Sequence, residues 1–527
     1  MQLRSLSIFI LLFILSGCVS TSKPQDPQVL SKNHGFAFVH FPRVHPSISL
    51  KSLSTKKSYD LRYNGENDTA SLWLPAGQYE LEEVSYSADS LTSKTVKLTG
   101  YPKIFIKEAE IINLGSLINF NVGEGKDVWL PIPSKESQLL ANAELKKHSL
   151  FLRKNAVIQW KPIKLPDINK GRSSGSGLGL IADLGLAYSN RLQEGLLKNK
   201  LLAINDIDSF YKVIIKLLPP IIDQEPSYDK TGNLYLGADL GQIKKRTPKG
   251  IWTSIDTGTL DSISKVYWYQ GSLFAVADDN KILVSKSEDT PWQEYTQVGT
   301  NQVIYDLDGI NDDLIILSAT KERSGNIFIL GQDFTLSVNR ANYNNAANIH
   351  LIKNIEQQGD VFKKPKGVIN NGIYYLGLMP DIFTSVNLNT MQWRDIKLPQ
   401  QFSSFRIAEN NVITLLNSQG AFSDLFISEN SGDDWQELNT PSYIIQDVFF
   451  SDNTNGFAYR ISMGVFSVEH ILQQFNATKE TWHDITQAPQ ACKYIFAHKI
   501  DRPILCLTTS DSMLSFKDNK WTLEVSN

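Results

Sequence analysis

Six tryptophans in the C-terminal half, Trp252, Trp292, Trp393, Trp435, Trp482 and Trp521, each close a short polar turn and open a short β-patterned run. The gaps between them are 40, 101, 42, 47 and 39 residues. The long gap holds two units, with a degenerate copy near Tyr343, so the spacing predicts seven repeats from about Ser227 to Asn527. Each unit reads as three strands, a polar turn, an aromatic residue and a fourth strand. In the third unit the runs are 303–306, 314–317 and 327–330. One four-stranded sheet cannot cover both of its faces, so copies must stack on one another. Four strands per roughly 40 to 45 residues is the pitch of a blade in a closed ring of sheets, a β-propeller.

The best-preserved turn is Ser428-Glu429-Asn430-Ser431-Gly432-Asp433-Asp434-Trp435. It resembles the Asp-box, or BNR, repeat, whose pattern is Ser-x-Asp-x-Gly-x-x-Trp. Ser428, Gly432 and Trp435 match, and Asn430 stands where Asp is usual. Asn keeps a short acceptor for turn amides, Gly allows the tight bend, and Trp435 packs the turn on its blade. The resemblance implies a structural device remote from any binding face.

The N-terminal part is β-patterned in a different way. Residues 36–41 alternate weakly and are rich in aromatics, and 47–50, 59–63 and 95–98 carry period-two character. Leu74-Pro75-Ala76-Gly77-Gln78-Tyr79 breaks one strand and starts the next, with Tyr79 and Leu81 expected on one face. This is similar to the turn of carboxypeptidase-regulatory-like and PEGA-like modules, which implies a small, mostly non-catalytic β-sandwich. Helical spacing follows at 137–145, at 180–202 and from Asp208 to the stop at Pro219. The expected fold is mostly β: a sandwich over 33–133, a helical connector over 134–223 and a seven-bladed propeller over 224–527.

The first seventeen residues carry Arg4 and an apolar run from Leu6 to Leu15, too short to span a bilayer. The run ends Leu15-Ser16-Gly17-Cys18, which resembles the bacterial lipobox. The resemblance implies cleavage before Cys18, acylation of Cys18 and attachment to a membrane. Several acyl chains, at about 0.8 kcal/mol per buried methylene, hold firmly. Val19 in place of Asp points to the outer membrane, with the periplasmic side favoured. Residues 18–32 read as the lipidated cysteine and a tether with Pro24 and Pro27. An oxidising compartment suits a disulfide between the remaining cysteines, Cys492 and Cys506.

The formal net charge is -3 and no basic stripe marks a nucleic-acid partner. His34, His40 and His45 have no acidic or cysteine neighbour at metal-ligand spacing, and Gly175, Gly177 and Gly179 lack the strand–turn–helix setting of a phosphate loop. Phe405-Arg406-Ile407-Ala408 loosely resembles the Phe-Arg-Ile-Pro motif of sialidases, which need three converging arginines. The repeats offer Arg246, Arg323, Arg340, Arg394, Arg406, Arg460 and Arg502. No catalytic, metal or cofactor residue is assigned. The expectation is an outer-membrane lipoprotein that acts as a non-catalytic scaffold or assembly factor for envelope proteins. The alternative is a carbohydrate-binding or sialidase-like glycoside-hydrolase lipoprotein.

Overall fold

A computed structural model describes most of residues 33–157 and 221–525, together with Arg172–Ser174. Residues 1–32, 158–171, 175–220 and 359–364 and stretches of one to five residues elsewhere lie outside the described residues. Among the described residues no helix is long and apolar enough to cross a membrane.

The N-terminal part is a sandwich of two six-stranded sheets. Its strand His34–His40 explains why alternation in the sequence is weak: both faces are covered. Ala37, Val39 and Phe41 enter the core between the sheets. Phe36 and Phe38 point the other way, beneath helix α1 (Lys135–Lys147), where they meet Ala141 and Leu152. Strands Thr69–Pro75 and Gly77–Ser87 belong to different sheets, so Pro75-Ala76-Gly77 is the corner between them. Tyr79 locks that corner by donating its hydroxyl to the Pro75 carbonyl at 2.7 Å. Tyr79 and Leu81 do share the core face.

Helix α1 begins at Ser134, whose hydroxyl accepts the Ser137 amide at 3.0 Å. Of the described parts of the segment expected as a connector, those up to Ser174 belong to the sandwich and Ile221 belongs to the first blade. Helix α1 packs on one sheet, Lys154–Val157 pairs in parallel with Glu110–Asn113, and Arg172–Ser174 pairs with Ser93–Thr95. The helical spacing at 180–202 and from 208 lies outside the described residues.

The C-terminal part contains seven four-stranded antiparallel sheets in succession, the seven blades. Their first strands are Ser227–Tyr228, Ile263–Tyr269, Gln302–Ile310, Lys366–Asn370, Ser404–Ile407, Ile444–Phe450 and Cys492–Phe496. Fourth strands such as Gln392–Asp395 are mostly exposed, while several neighbouring first strands touch, so the first strand of each blade lies innermost. The aromatic repeat marks the start of the fourth strand throughout, and Tyr343 fills the place of the missing tryptophan before Asn345–Gln358. The third blade differs from the expectation in one respect. Its third strand is Asp333–Asn342, and Ile327–Ile329 instead pairs with Glu322–Ser324 in a separate ribbon. That insertion lengthens the unit between Trp292 and Tyr343; the gap from Trp292 to Trp393 is long because Tyr343 stands where a tryptophan would divide it.

Adjacent blades share one apolar cluster each, and the seventh cluster closes the ring. Ile221, Leu234 and Leu236 from the first blade pack on Phe496, Leu505, Leu507 and Met513 from the last. Each blade takes its four strands from one stretch of the chain, so among the described residues no strand is exchanged across this seam. Among the described residues, side chains hold it. Arg246 clamps Glu524 through two nitrogens, Nε at 2.6 Å and Nη2 at 2.5 Å, and Trp252 Nε1 donates to the same carboxylate at 2.9 Å. A paired-nitrogen clamp on a carboxylate is among the stronger charged contacts.

Candidate functional site: the charged axis of the propeller

An innermost strand turns one row of side chains toward its own blade and the other toward the ring axis. The chain places charge in the axial row. Lys265, Asp306, Lys366, Arg406 and Asp447 each stand on a first strand, in blades two to six respectively. Glu225, two residues before the first strand of blade one, joins them. Its Oε2 lies 2.9 Å from Lys265 Nζ and its Oε1 lies 2.5 Å from Lys366 Nζ. Lys265 also reaches Asp306 Oδ1 at 3.1 Å. Arg406 takes Asp447 through both Nε, at 3.1 Å, and Nη2.

These pairs explain the charge states. Enclosure alone would raise the Glu225 carboxyl, but the Lys265 and Lys366 ammoniums outweigh it and hold it well below the usual carboxylate range. Burial opposes the Arg406 cation, yet Asp447 and, more remotely, Glu225 keep it firmly charged. Burial dominates at Asp306, whose carboxyl is pushed up to about 7 despite Lys265. Asp306 Oδ2 and Tyr374 Oη have no hydrogen-bond partner among the described residues. Gly367 makes their approach possible, because a Cβ there would sit 1.9 Å from Tyr374 Oη and 2.6 Å from Asp306 Oδ2.

A second charged cluster joins the sandwich to the ring. Lys281 Nζ lies 3.7 Å from Asp261 in the propeller and 3.8 Å from Glu136 in the first turn of α1. Burial, with Asp261 beside it, pushes the Glu136 carboxyl up to about 7. Close by, His40 Nδ1 and Ser116 Oγ are 2.8 Å apart, and Ser116 bonds Ser134 at the helix cap at 2.7 Å. Burial pushes the His40 imidazole down to about 4. Asp261 precedes the first strand of blade two and Lys281 opens its third strand. In an up-and-down blade both positions lie at the end where the inner strands begin, so the sandwich contacts that end.

The residues singled out in the sequence lie elsewhere. The turn at 428–435 joins the third and fourth strands of blade five, at the opposite end of the blade from the start of the inner strand. Ser428 Oγ accepts the Gly432 amide at 2.8 Å, Asn430 Oδ1 accepts the Asp434 amide at 2.9 Å, and Trp435 Nε1 donates to the Lys397 carbonyl of the preceding blade at 2.9 Å. Trp482 repeats that last contact with Asn439 at 2.7 Å. Cys492 and Cys506 form a disulfide, with Cα atoms 5.4 Å apart, between the first two strands of blade seven. Cys18 and Gly175, Gly177 and Gly179 lie outside the described residues, as does His45.

The arginines do not gather on one ligand position. Arg246 pairs with Glu524, Arg340 with Asp313, Arg394 with Asp433, Arg406 with Asp447 and Arg460 with Asp484. Arg502 lies over the Tyr228 ring at 3.9 Å. The side chain of Arg323 lies outside the described residues. Among the described residues no three His, Cys, Asp or Glu side chains are grouped to hold a metal ion. Of the axial residues, sequence reasoning met only Arg406. Lys265 and Asp447 stand as single charges in short β-patterned runs, Ile263-Ser264-Lys265-Val266 and Ile445-Gln446-Asp447-Val448, whereas nothing local sets Glu225, Asp306 or Lys366 apart from other charged residues.

No family model matches the chain, and no curated protein matches its sequence. Among solved structures it is similar to YCF48 from Cyanidioschyzon merolae, with a TM-score of 0.41 and 12% identity over 57% of this chain and 97% of that one. It is similar to YCF48 bound to D1 peptide, with a TM-score of 0.42 and 10% identity over 57% and 95%. It is also similar to an oligogalacturonate lyase from Vibrio parahaemolyticus, with a TM-score of 0.41 and 8% identity over 58% and 90%. The propeller assignment stands on the seven ladders and the closed seam of this chain itself. The fold serves an enzyme as readily as a non-enzyme.

Proposed function

We propose that this protein is an outer-membrane lipoprotein, anchored through Cys18 and facing the periplasm, whose propeller is a non-catalytic docking scaffold for another envelope protein. One observation carries the non-catalytic reading. The charges at the axis are spent on one another across blades: Glu225 on Lys265 and Lys366, Arg406 on Asp447. An acid–base catalyst needs a titrating group held in reach of a substrate, and here the most enclosed such group, Asp306, leans on Lys265 instead. The Leu15-Ser16-Gly17-Cys18 ending supports the anchor, and the Cys492–Cys506 bridge suits an oxidising compartment.

Crosslinking in intact cells, followed by mass spectrometry of the captured neighbours, tests the scaffold. Recovery of envelope-assembly subunits is the expected result. Capture of no protein, together with glycan-array binding by the purified chain, would replace this reading with the carbohydrate one. Cys18→Ala is expected to move the protein from the membrane to the soluble fraction; retention in the membrane would remove the anchor.

A further inference from the structure

We propose that the axis of the propeller is a carboxylate-binding site which the chain fills with its own Glu225, and that a single carboxylate on a partner protein displaces it. This rests on the scaffold reading and names the chemistry of its partner. Three blades contribute to the site. Lys265 of blade two and Lys366 of blade four each hold a different oxygen of Glu225, at 2.9 and 2.5 Å. Arg406 of blade five stands near enough for Glu225 to favour its charge. Two ammonium groups from non-adjacent blades on the two oxygens of one carboxylate form a clamp, and the ring walls fix its width.

The occupant is not part of the wall. Glu225 precedes the first ladder pair of blade one, Ser227 with Tyr235, so lifting it from the axis breaks no strand ladder. The site also opens to solvent: the side chains of Glu225, Lys366 and Arg406 keep 32, 27 and 25% of their surface accessible. Asp306 and Asp308 lie on the neighbouring inner strand, with Ile369 N donating to Asp308 at 2.6 Å. Two ammonium groups, one on each oxygen of Glu225, match the two oxygens of a carboxylate. That carboxylate is an Asp or Glu side chain or a chain terminus.

Fluorescence anisotropy on the full chain in detergent tests this with a labelled Gly/Glu decapeptide, its C-terminally amidated form and the Gly/Gln counterpart. The Glu225→Gln variant is expected to bind the Gly/Glu peptide at least tenfold more tightly than the unaltered chain. Adding Lys366→Met is expected to abolish the gain. Retention by the amidated peptide identifies a side-chain ligand; retention by the Gly/Gln peptide with a free terminus identifies a terminal one. Equal affinity of Glu225→Gln and the unaltered chain, with unchanged circular dichroism and Tm, overturns the proposal, since Glu225 is then an ion-pair partner and no more. Should Glu225→Gln fail to fold, Glu225→Asp shortens the reach by one methylene and is expected to give a smaller gain; no gain there overturns the proposal equally. Crosslinking that captures a partner while neither variant gains affinity removes the axial site and leaves the scaffold. Crosslinking that captures none removes the scaffold.

Discussion

Among the described residues the sandwich gathers most of its apolar side chains into one large cluster between two sheets, with a smaller one beneath α1, whereas the ring divides its own into seven, one for each pair of adjoining blades. The same alternating pattern therefore has two energetic consequences. Damage to the shared core is felt by both sheets at once. Damage between two blades is local, because each blade contacts only its neighbours and stability approximates a sum over units.

The largest effect is expected in the shared core. Trp129 is fully buried and packs edge-on against Tyr86 at 5.4 Å. Trp129→Ala should cost about 3 to 5 kcal/mol. Hydrogen exchange should then accelerate throughout the sandwich and leave the blades protected. Faster exchange in every blade would break the distinction. Replacing Cys492 and Cys506 with Ser opens a loop of 14 residues and should cost about 3 kcal/mol. Here the loss of protection should stay within blade seven and the two clusters it borders, those containing Ile504 and Leu505.

The sandwich should respond to mild acid through His40. Its imidazole is pushed from 6.5 down to about 4 by burial. A histidine held neutral in the folded state contributes full stability above pH 6.5, and that contribution falls as pH drops from 6.5 toward 4. The loss at pH 5 is about 2 kcal/mol. Denaturant titrations at pH 7.5 and 5 should show it, and His40→Gln should flatten the difference. A slope unchanged by His40→Gln would mean another group senses the proton. The smallest effect belongs to a blade turn. Gly432 has φ +88, and a Cβ there would lie 2.6 Å from Ile396 Cγ2. Gly432→Ala should cost about 1 kcal/mol, read as a small fall in Tm.

The ring was the more legible region, for a physical reason. A repeated unit writes its period into the chain many times, so the aromatic spacing survives even where Tyr343 replaces a tryptophan. The 327–330 run misled because a ribbon outside the blade has the same β composition as a blade strand. The sandwich hid its layering: Phe36 and Phe38 look like ordinary alternation until α1 is seen on their face. The axial site hid most completely. Glu225, Lys265 and Lys366 are 40 and 101 residues apart along the chain, and only ring closure makes them neighbours.

Ring closure is accordingly what most needs testing, and the seam offers a direct measurement. A double-mutant cycle on Arg246 and Glu524, the first and last blades' clamped pair, compares Arg246→Glu, Glu524→Arg and the exchanged double variant by chemical denaturation. Residues in direct contact couple by about 0.5 to 3 kcal/mol. The closed ring predicts that each single variant is destabilised and that the exchange recovers at least about 1 kcal/mol of the summed loss. Single effects that simply add, with no recovery in the double variant, would mean that the first and last blades do not meet.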